Sequence, residues 1–261
     1  MKYRKPYSIK KHKKFYQSSW FWLAFLGLSL ALGITYLLLF LPNIQITHLE
    51  ISGNQKVATQ DIEALVQKEI DQRIIGFSSK SIFLVNSKTI SQKLLAGFPS
   101  LESAEVKKGY FSKLTIYITE RKPFAIFCKT GSDCFSIDKN GIIFQLTDSS
   151  PKNMMVLSHD PADVKKLEFG QTVIAKNIME GIINIQDDLK KNFQIDIKEI
   201  MVSNPLIITT FENWKVYIDP LADINLQIAK MRKLLTDEIS PSARKKLQYI
   251  YLQYQDRAYF K

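Results

Sequence analysis

The chain has 261 residues, long enough to bury a sizeable core in one large domain or two small ones. With 46% hydrophobic and 23% charged residues it has the make-up of an ordinary folded protein, not of a disordered or low-complexity chain. A net charge of +11 suggests nucleic acid or a membrane surface until one asks where the charge lies, and it lies mostly at one end.

Lys2, Arg4, Lys5, Lys10, Lys11, Lys13 and Lys14 precede Trp20, and no acidic residue occurs before Glu50. Without those seven, 29 basic residues face 25 acidic ones, an excess of only +4. A basic arm for nucleic acid is one reading of such a run. The simpler one is a topology signal with incidental attraction to anionic lipid, and we expect no nucleic-acid partner.

From Trp20 to Leu41 runs WFWLAFLGLSLALGITYLLLFL, 22 residues without a charge. As a helix it extends roughly 33 Å, enough to cross a bilayer core. Trp20 and Trp22 at one end, and Tyr36 and Phe40 towards the other, suit interfacial anchoring. A cleavable signal peptide shares this plan, but the apolar run is long for one and LPNIQIT after it lacks a small-x-small cleavage site. The cationic flank predicts a cytoplasmic N-terminus and residues 43–261 outside, a single-pass type II arrangement.

IQITHLEISG from Ile44 reads as a strand, punctuated by Gly53-Asn54. Thr59 is a candidate cap for a helix with Ile62, Leu65, Val66 and Ile70 on one face. A loop containing Gly76 leads to SIFLV; Asn86 or Ser87 then caps a second helix presenting Ile90 and Leu94, closed by Gly97 and Pro99. Strands near Leu101–Lys107 and Lys113–Thr119 follow, turning around Gly109, which completes a β-α-α-β-β order.

That order directly after one membrane helix, with SGNQKV behind the first strand and ITERKPFAIF at the end, resembles the POTRA domain of the bacterial cell-division family FtsQ/DivIB. Glu120-Arg121-Lys122-Pro123 resembles the E-R-x-P that the family writes where the module hands over to the next domain. Pro123 lacks an amide donor and restricts its predecessor, which suits the close of one strand register and the start of another.

Beyond it, FAIFC and CFSIDKNGIIFQL make a strand, a connection and a hairpin turning at Asn140-Gly141; Asp138, Gly141 and Phe144 also resemble the family pattern. A helix over 175–192, strands near 195–202, 206–211 and 215–218, and a helix over 222–237 lead to a final strand. The expected architecture is α+β: a basic tail (1–19), a membrane helix (20–41), a POTRA-like module (44–122) and a mixed or antiparallel β-sheet domain packed with helices (123–261).

Nothing in the sequence carries a catalytic signature. His12, His48 and His159 lack the partners of a zinc site, and no G-x-S-x-G, S-x-x-K, Walker or G-x-G-x-x-G pattern occurs. Asp187-Asp188 sits on a predicted helix, where a solvated face is the common explanation. We expect no enzyme activity, cofactor, metal or small-molecule substrate. Cys128 and Cys134 flank the five-residue KTGSD, and adjacent strands bring them within reach of a disulfide; a pair of free thiols is the other reading.

The closing stretch LQYIYLQYQ reads as a strand at an open sheet edge. Ile250 and Leu252 face the helices, leaving Tyr249 and Tyr251 on the other side, where tyrosine suits either a recognition surface or simple sheet packing. The family closes with Y-[VI]-D-L-R-Y, and Tyr249-Ile250-Tyr251-Leu252-Gln253-Tyr254 occupies that place, with Tyr251 for the usual Asp and Gln253 for the usual Arg. The resemblance therefore implies that Tyr249, Tyr251, Leu252, Gln253 and Tyr254 help dock FtsB, with FtsL coiled to it, by strand addition. It implies a cell-division scaffold in the inner membrane at the septum, acting through that pair on the wall-synthesis enzymes FtsW and FtsI. A membrane-anchored POTRA protein handling polypeptides in secretion or outer-membrane assembly is the rival.

Overall fold

The structure is a computed structural model that describes residues 18–74, 76–110, 112–129, 134–147, 154–159, 167–254 and 256–261. The basic run, His12, the connection through Gly131 and the Asp160-Pro161 pair lie outside the described residues.

Helix α1, Ser19–Phe40, buries none of its residues and is long and apolar enough to cross a membrane. A 3-10 turn, Pro42–Ile44, follows, so the first strand, β1 (His48–Ser52), starts later than the pattern of apolar residues suggests. Helix α2 (Thr59–Ile70) buries Ile62, Val66 and Ile70. Thr59 is its first helical residue, not its cap: Ala58 holds the cap position without a side-chain bond. Strands β2 (Gln72–Ile74) and β3 (Phe77–Ser79) form a hairpin where the sequence suggests only a loop. Asn86 accepts from the amides of Lys88 and Thr89 at 3.0 and 3.3 Å and so caps α3, Ser87–Gly97. Strands β4 (Leu101–Lys108) and β5 (Lys113–Glu120) complete a three-stranded sheet of order β1-β5-β4, in which β1 and β5 run parallel.

The rest of the chain builds one nine-stranded sheet of order β14-β13-β12-β11-β10-β9-β6-β7-β8. Its strands are β6 (Ala125–Cys128), β7 (Cys134–Ile137), β8 (Ile143–Thr147), β9 (Val156–His159), β10 (Ile197–Val202), β11 (Leu206–Thr210), β12 (Lys215–Ile218), β13 (Tyr249–Tyr251) and β14 (Tyr259–Phe260). β9 escapes a pattern reading because it is only four residues long, yet it pairs in parallel with both β6 and β10 and joins the halves of the sheet. Helix α4 (Lys176–Phe193) crosses between β9 and β10; α5 (Ile224–Lys233), a π-helical turn at Leu234–Glu238 and short α6 (Pro241–Arg244) cross between β12 and β13. Asp223 caps α5, accepting from Asn225 N at 2.9 Å and Leu226 N at 3.2 Å.

One face of this sheet is the core. Met179, Ile182, Ile185 and Leu189 of α4 and Ile228 and Met231 of α5 cluster with Ile200, Ile208, Trp214, Val216 and Ile250. The chain forms two compact units: residues 1–52, 58–91 and 105–117, and residues 53–57, 92–104 and 118–261. The divide runs within α3, β4 and β5.

Candidate functional site

Alternation along β11–β14 leaves one row for the core and one for the opposite face. Ile208, Val216, Ile250 and Phe260 stand opposite one another in the first row; Ile207, Tyr217, Tyr251 and Tyr259 do so in the second. The second row continues through Met201 of β10, which is half-exposed.

The tyrosines touch. The rings of Tyr217 and Tyr251 lie 4.4 Å apart, those of Tyr249 and Tyr251 4.8 Å, and Tyr254 meets Tyr259 edge-on at 5.5 Å. Partial loss of solvent first, then the Tyr217 hydroxyl and neighbouring phenols, hold the Tyr251 phenol above the ordinary tyrosine range, so it stays neutral. The result is a contiguous, mostly apolar strip with polar tips, a composition suited to burial against another protein.

Two expectations about the end of the chain need correction. Strand β13 is not the sheet edge: it pairs in parallel with β12 on one side and antiparallel with β14 on the other. After Leu252 the chain folds back, Lys261 N donating to Tyr249 O at 3.2 Å and Gln248 N to Lys261 O at 2.6 Å. Direct strand addition to β13 is therefore blocked. Leu252 is fully buried in the core cluster and unavailable to a partner, while Gln253 is half-buried and Tyr254 49% exposed. What the sequence reading missed is Tyr217, Tyr259 and Phe260. The alternation of Lys215, Val216, Tyr217 and Ile218 carries a signal for Tyr217, but its pairing with Tyr251 depends on a parallel crossover.

The edge now belongs to β14. Lys261 N points to β13, so by strand alternation the Phe260 amide and carbonyl point outward. Tyr259 and Phe260 are 48% and 46% exposed.

The hand-over residues form a separate, structural cluster. One oxygen of Glu120 accepts from the amides of Gln55, Lys56 and Val57 at 2.7, 2.8 and 3.0 Å. Burial pushes its carboxyl up, but those three donors outweigh it and the pKa falls below the ordinary carboxylate value. Arg121 donates to Pro99 O at 3.0 Å and pairs with Asp138, and both side chains are largely buried. Asp138 in turn accepts from Asn140 N and Ile142 N, both at 2.9 Å. Gly53 and Gly141 take φ of +92° and +74°, and a Cβ at either would collide with a backbone carbonyl, of Ile118 and Ile174 respectively. Pro123 is exposed in the coil before β6, and Phe144 is buried. These residues hold backbone and offer no reactive group.

Cys128 and Cys134 stand directly opposite across β6 and β7, Cα atoms 4.1 Å apart, and are joined as a disulfide. Trp20 is exposed in the first turn of α1 and Leu41 follows its last residue. Among the described residues no three His, Cys, Asp or Glu side chains gather to hold a metal.

Residues 44–121 match the POTRA domain of FtsQ type. The chain is also similar to two proteins named cell division protein FtsQ. With that of Streptomyces griseus it is 21% identical over 151 residues, 58% of this chain and 70% of the relative. With that of Streptomyces venezuelae it is 19% identical over 150 residues, 58% of this chain and about half, 54%, of the relative.

Proposed function

This chain is a member of the FtsQ/DivIB family of bacterial cell-division proteins, and from that premise we propose that it is a membrane-anchored divisome scaffold that captures FtsB, with FtsL coiled to it, at the tyrosine-rich end of its large sheet. In this reading α1 spans the inner membrane with its N-terminus in the cytoplasm. The modules outside gather at the septum and act by assembly, not by catalysis, and the captured pair passes the signal to FtsW and FtsI.

The observation that carries the reading is the row Tyr217, Tyr251 and Tyr259 beside the open edge of β14. A strand of FtsB adds along the outer side of β14, pairing with the outward Phe260 amide and carbonyl, while its side chains cover the tyrosine row. Hydrogen bonds supply register and the aromatic strip supplies apolar area. With Tyr251 and Gln253 where the family has Asp and Arg, neither position supplies the family's charge, and the contact is correspondingly apolar.

The test is capture of the FtsB–FtsL pair by the full chain in bilayer nanodiscs. Tyr251→Glu puts a charge into a desolvated interface and should lower capture by about tenfold or more, with unchanged circular dichroism. Undiminished capture would refute the site. Imaging a fluorescent fusion separates this function from that of a polypeptide-handling anchor, which has no reason to collect at the septum.

A further inference from the structure

Helix α1 ends in a way that its sequence does not announce. The last carbonyls of a helix lack intrahelical partners and need others. Here Ser81 Oγ donates to Leu38 O at 2.7 Å, and Ser79 Oγ and Gln45 Nε2 both donate to Leu39 O, the latter at 2.7 Å. Gln45 also accepts from Lys80 N at 2.6 Å, and Ile46 N donates to Lys80 O at 2.9 Å. The strand leaving the β2–β3 hairpin is thus fastened to the final turn of the apolar helix.

That fastening lays the hairpin tip along the flank of α1. Phe77 meets Phe40 edge-on, ring centroids 6.2 Å apart. Between hairpin and helix runs a groove of about 360 Å³ lined by Leu32, Thr35, Tyr36, Leu39, Phe40, Ile74 and Phe77. At 1.5 Å per residue, Tyr36 lies roughly 6 Å and Leu32 roughly 12 Å before Phe40 along the helix. Phe77 is 68% exposed, a costly place in water for a phenylalanine beside an already apolar surface.

We propose that the hairpin is a second membrane contact, with Ile74 and Phe77 entering the hydrocarbon of the outer leaflet and a phospholipid acyl chain filling the groove against α1. The inference rests on α1 spanning the bilayer. Given that, the groove is continuous with the lipid-facing surface of the span, since five of its seven lining residues belong to α1. Exposed Arg73 and Lys80 flank the apolar tip, where they meet lipid phosphates. Asp71 nearby accepts from the Ser78 hydroxyl and is outnumbered by the two cations. Internal pairing of Gln72 with Ser79, Arg73 with Ser78 and Ile74 with Phe77 limits the unpaired backbone such a tip brings into an apolar phase. The first module would then be held close against the membrane instead of swinging freely on one helix.

The full chain carrying Phe77→Cys is labelled with a bimane fluorophore; Cys128 and Cys134, bonded to each other, leave that thiol as the reactive one. It is placed in nanodiscs of phosphatidylethanolamine and phosphatidylglycerol, with and without brominated acyl chains. The label at position 77 should lose most of its emission to brominated lipid and little to aqueous iodide. A label at Tyr110→Cys, on a 93% exposed side chain, should do the reverse. Leu28→Cys, within α1, reports the span itself. Quenching at 28 with iodide access at 77 overturns the proposal while leaving the anchor intact. No lipid quenching at 28 sinks the anchor and the proposal with it. A label at 77 shielded from both quenchers means that a second copy of the chain, not lipid, fills the groove, which also overturns it. Ile74→Cys repeats the reading if the change at 77 disturbs the hairpin.

Discussion

Glu120 shows how a single side chain can hold a loop that lies far from it in sequence. Three amides converge on one of its oxygens, so the charged form belongs to the fold. Its folded pKa lies below the reference 4.5, so the stability it contributes is fully present above about pH 4.5 and is lost as pH falls through the folded value. Glu120→Gln keeps an acceptor but loses the charge, costing about 1 kcal/mol at pH 7 in denaturant unfolding. The gap between variant and parent should close as the pH drops below 4.5; a gap that persists at strongly acid pH contradicts the assignment. Arg121 and Asp138 are both largely buried, so Arg121→Ala strands a carboxylate, and we expect a loss of about 3 kcal/mol by the same measurement.

At the scale of elements, α4 and α5 are bridged by a polar contact at the rim of their apolar packing. Asp188 on α4 is buried, and one of its oxygens accepts from Asn192 at 2.8 Å and from Arg232 of α5 at 3.0 Å through Nε and again through the guanidinium tip. Its other oxygen has no partner. Arg232→Ala should therefore destabilise by about 2 kcal/mol, and adding Asp188→Asn should restore part of that because no buried charge is left uncompensated. A double-mutant cycle by thermal unfolding checks both. The short β14 invites a parallel test: deleting residues 258–261 removes Tyr259 and the outward Phe260 edge, so FtsB–FtsL capture should fall. A rise would show instead that β14 occupies the partner's place on β13.

For the whole molecule, the disulfide and the membrane set the conditions of work. The Cys128–Cys134 bond closes a short loop, and reducing it should cost roughly 2 kcal/mol in the chain-entropy account. Unreduced protein should run 2 Da light by mass spectrometry, and complete alkylation without reductant would exclude the bond. Such a bond persists in an oxidising space, consistent with a domain outside the cytoplasm.

Much of this was legible in the order of residues, because spans, helix faces, caps and tight turns are encoded by neighbours. The apolar run of α1, the Asn86 cap and the Asn140-Gly141 turn all follow from local geometry and solvation. Even the FtsQ-type module can be read from an ordered set of such signals. Strand partners are different. The alternation of Tyr249, Ile250 and Tyr251 tells which residues share a face, but not that Tyr251 would meet Tyr217, nor that Tyr259 and Phe260 would close the edge. Likewise nothing local announces that Ser79 and Ser81 would cap the carbonyls of α1. Tyr217 and Tyr251 are 34 residues apart and Ser79 and Leu39 are 40 apart, while β14 reaches β13 only because the chain folds back after Leu252; none of these pairings is set by neighbours in sequence, so only the folded molecule decides them.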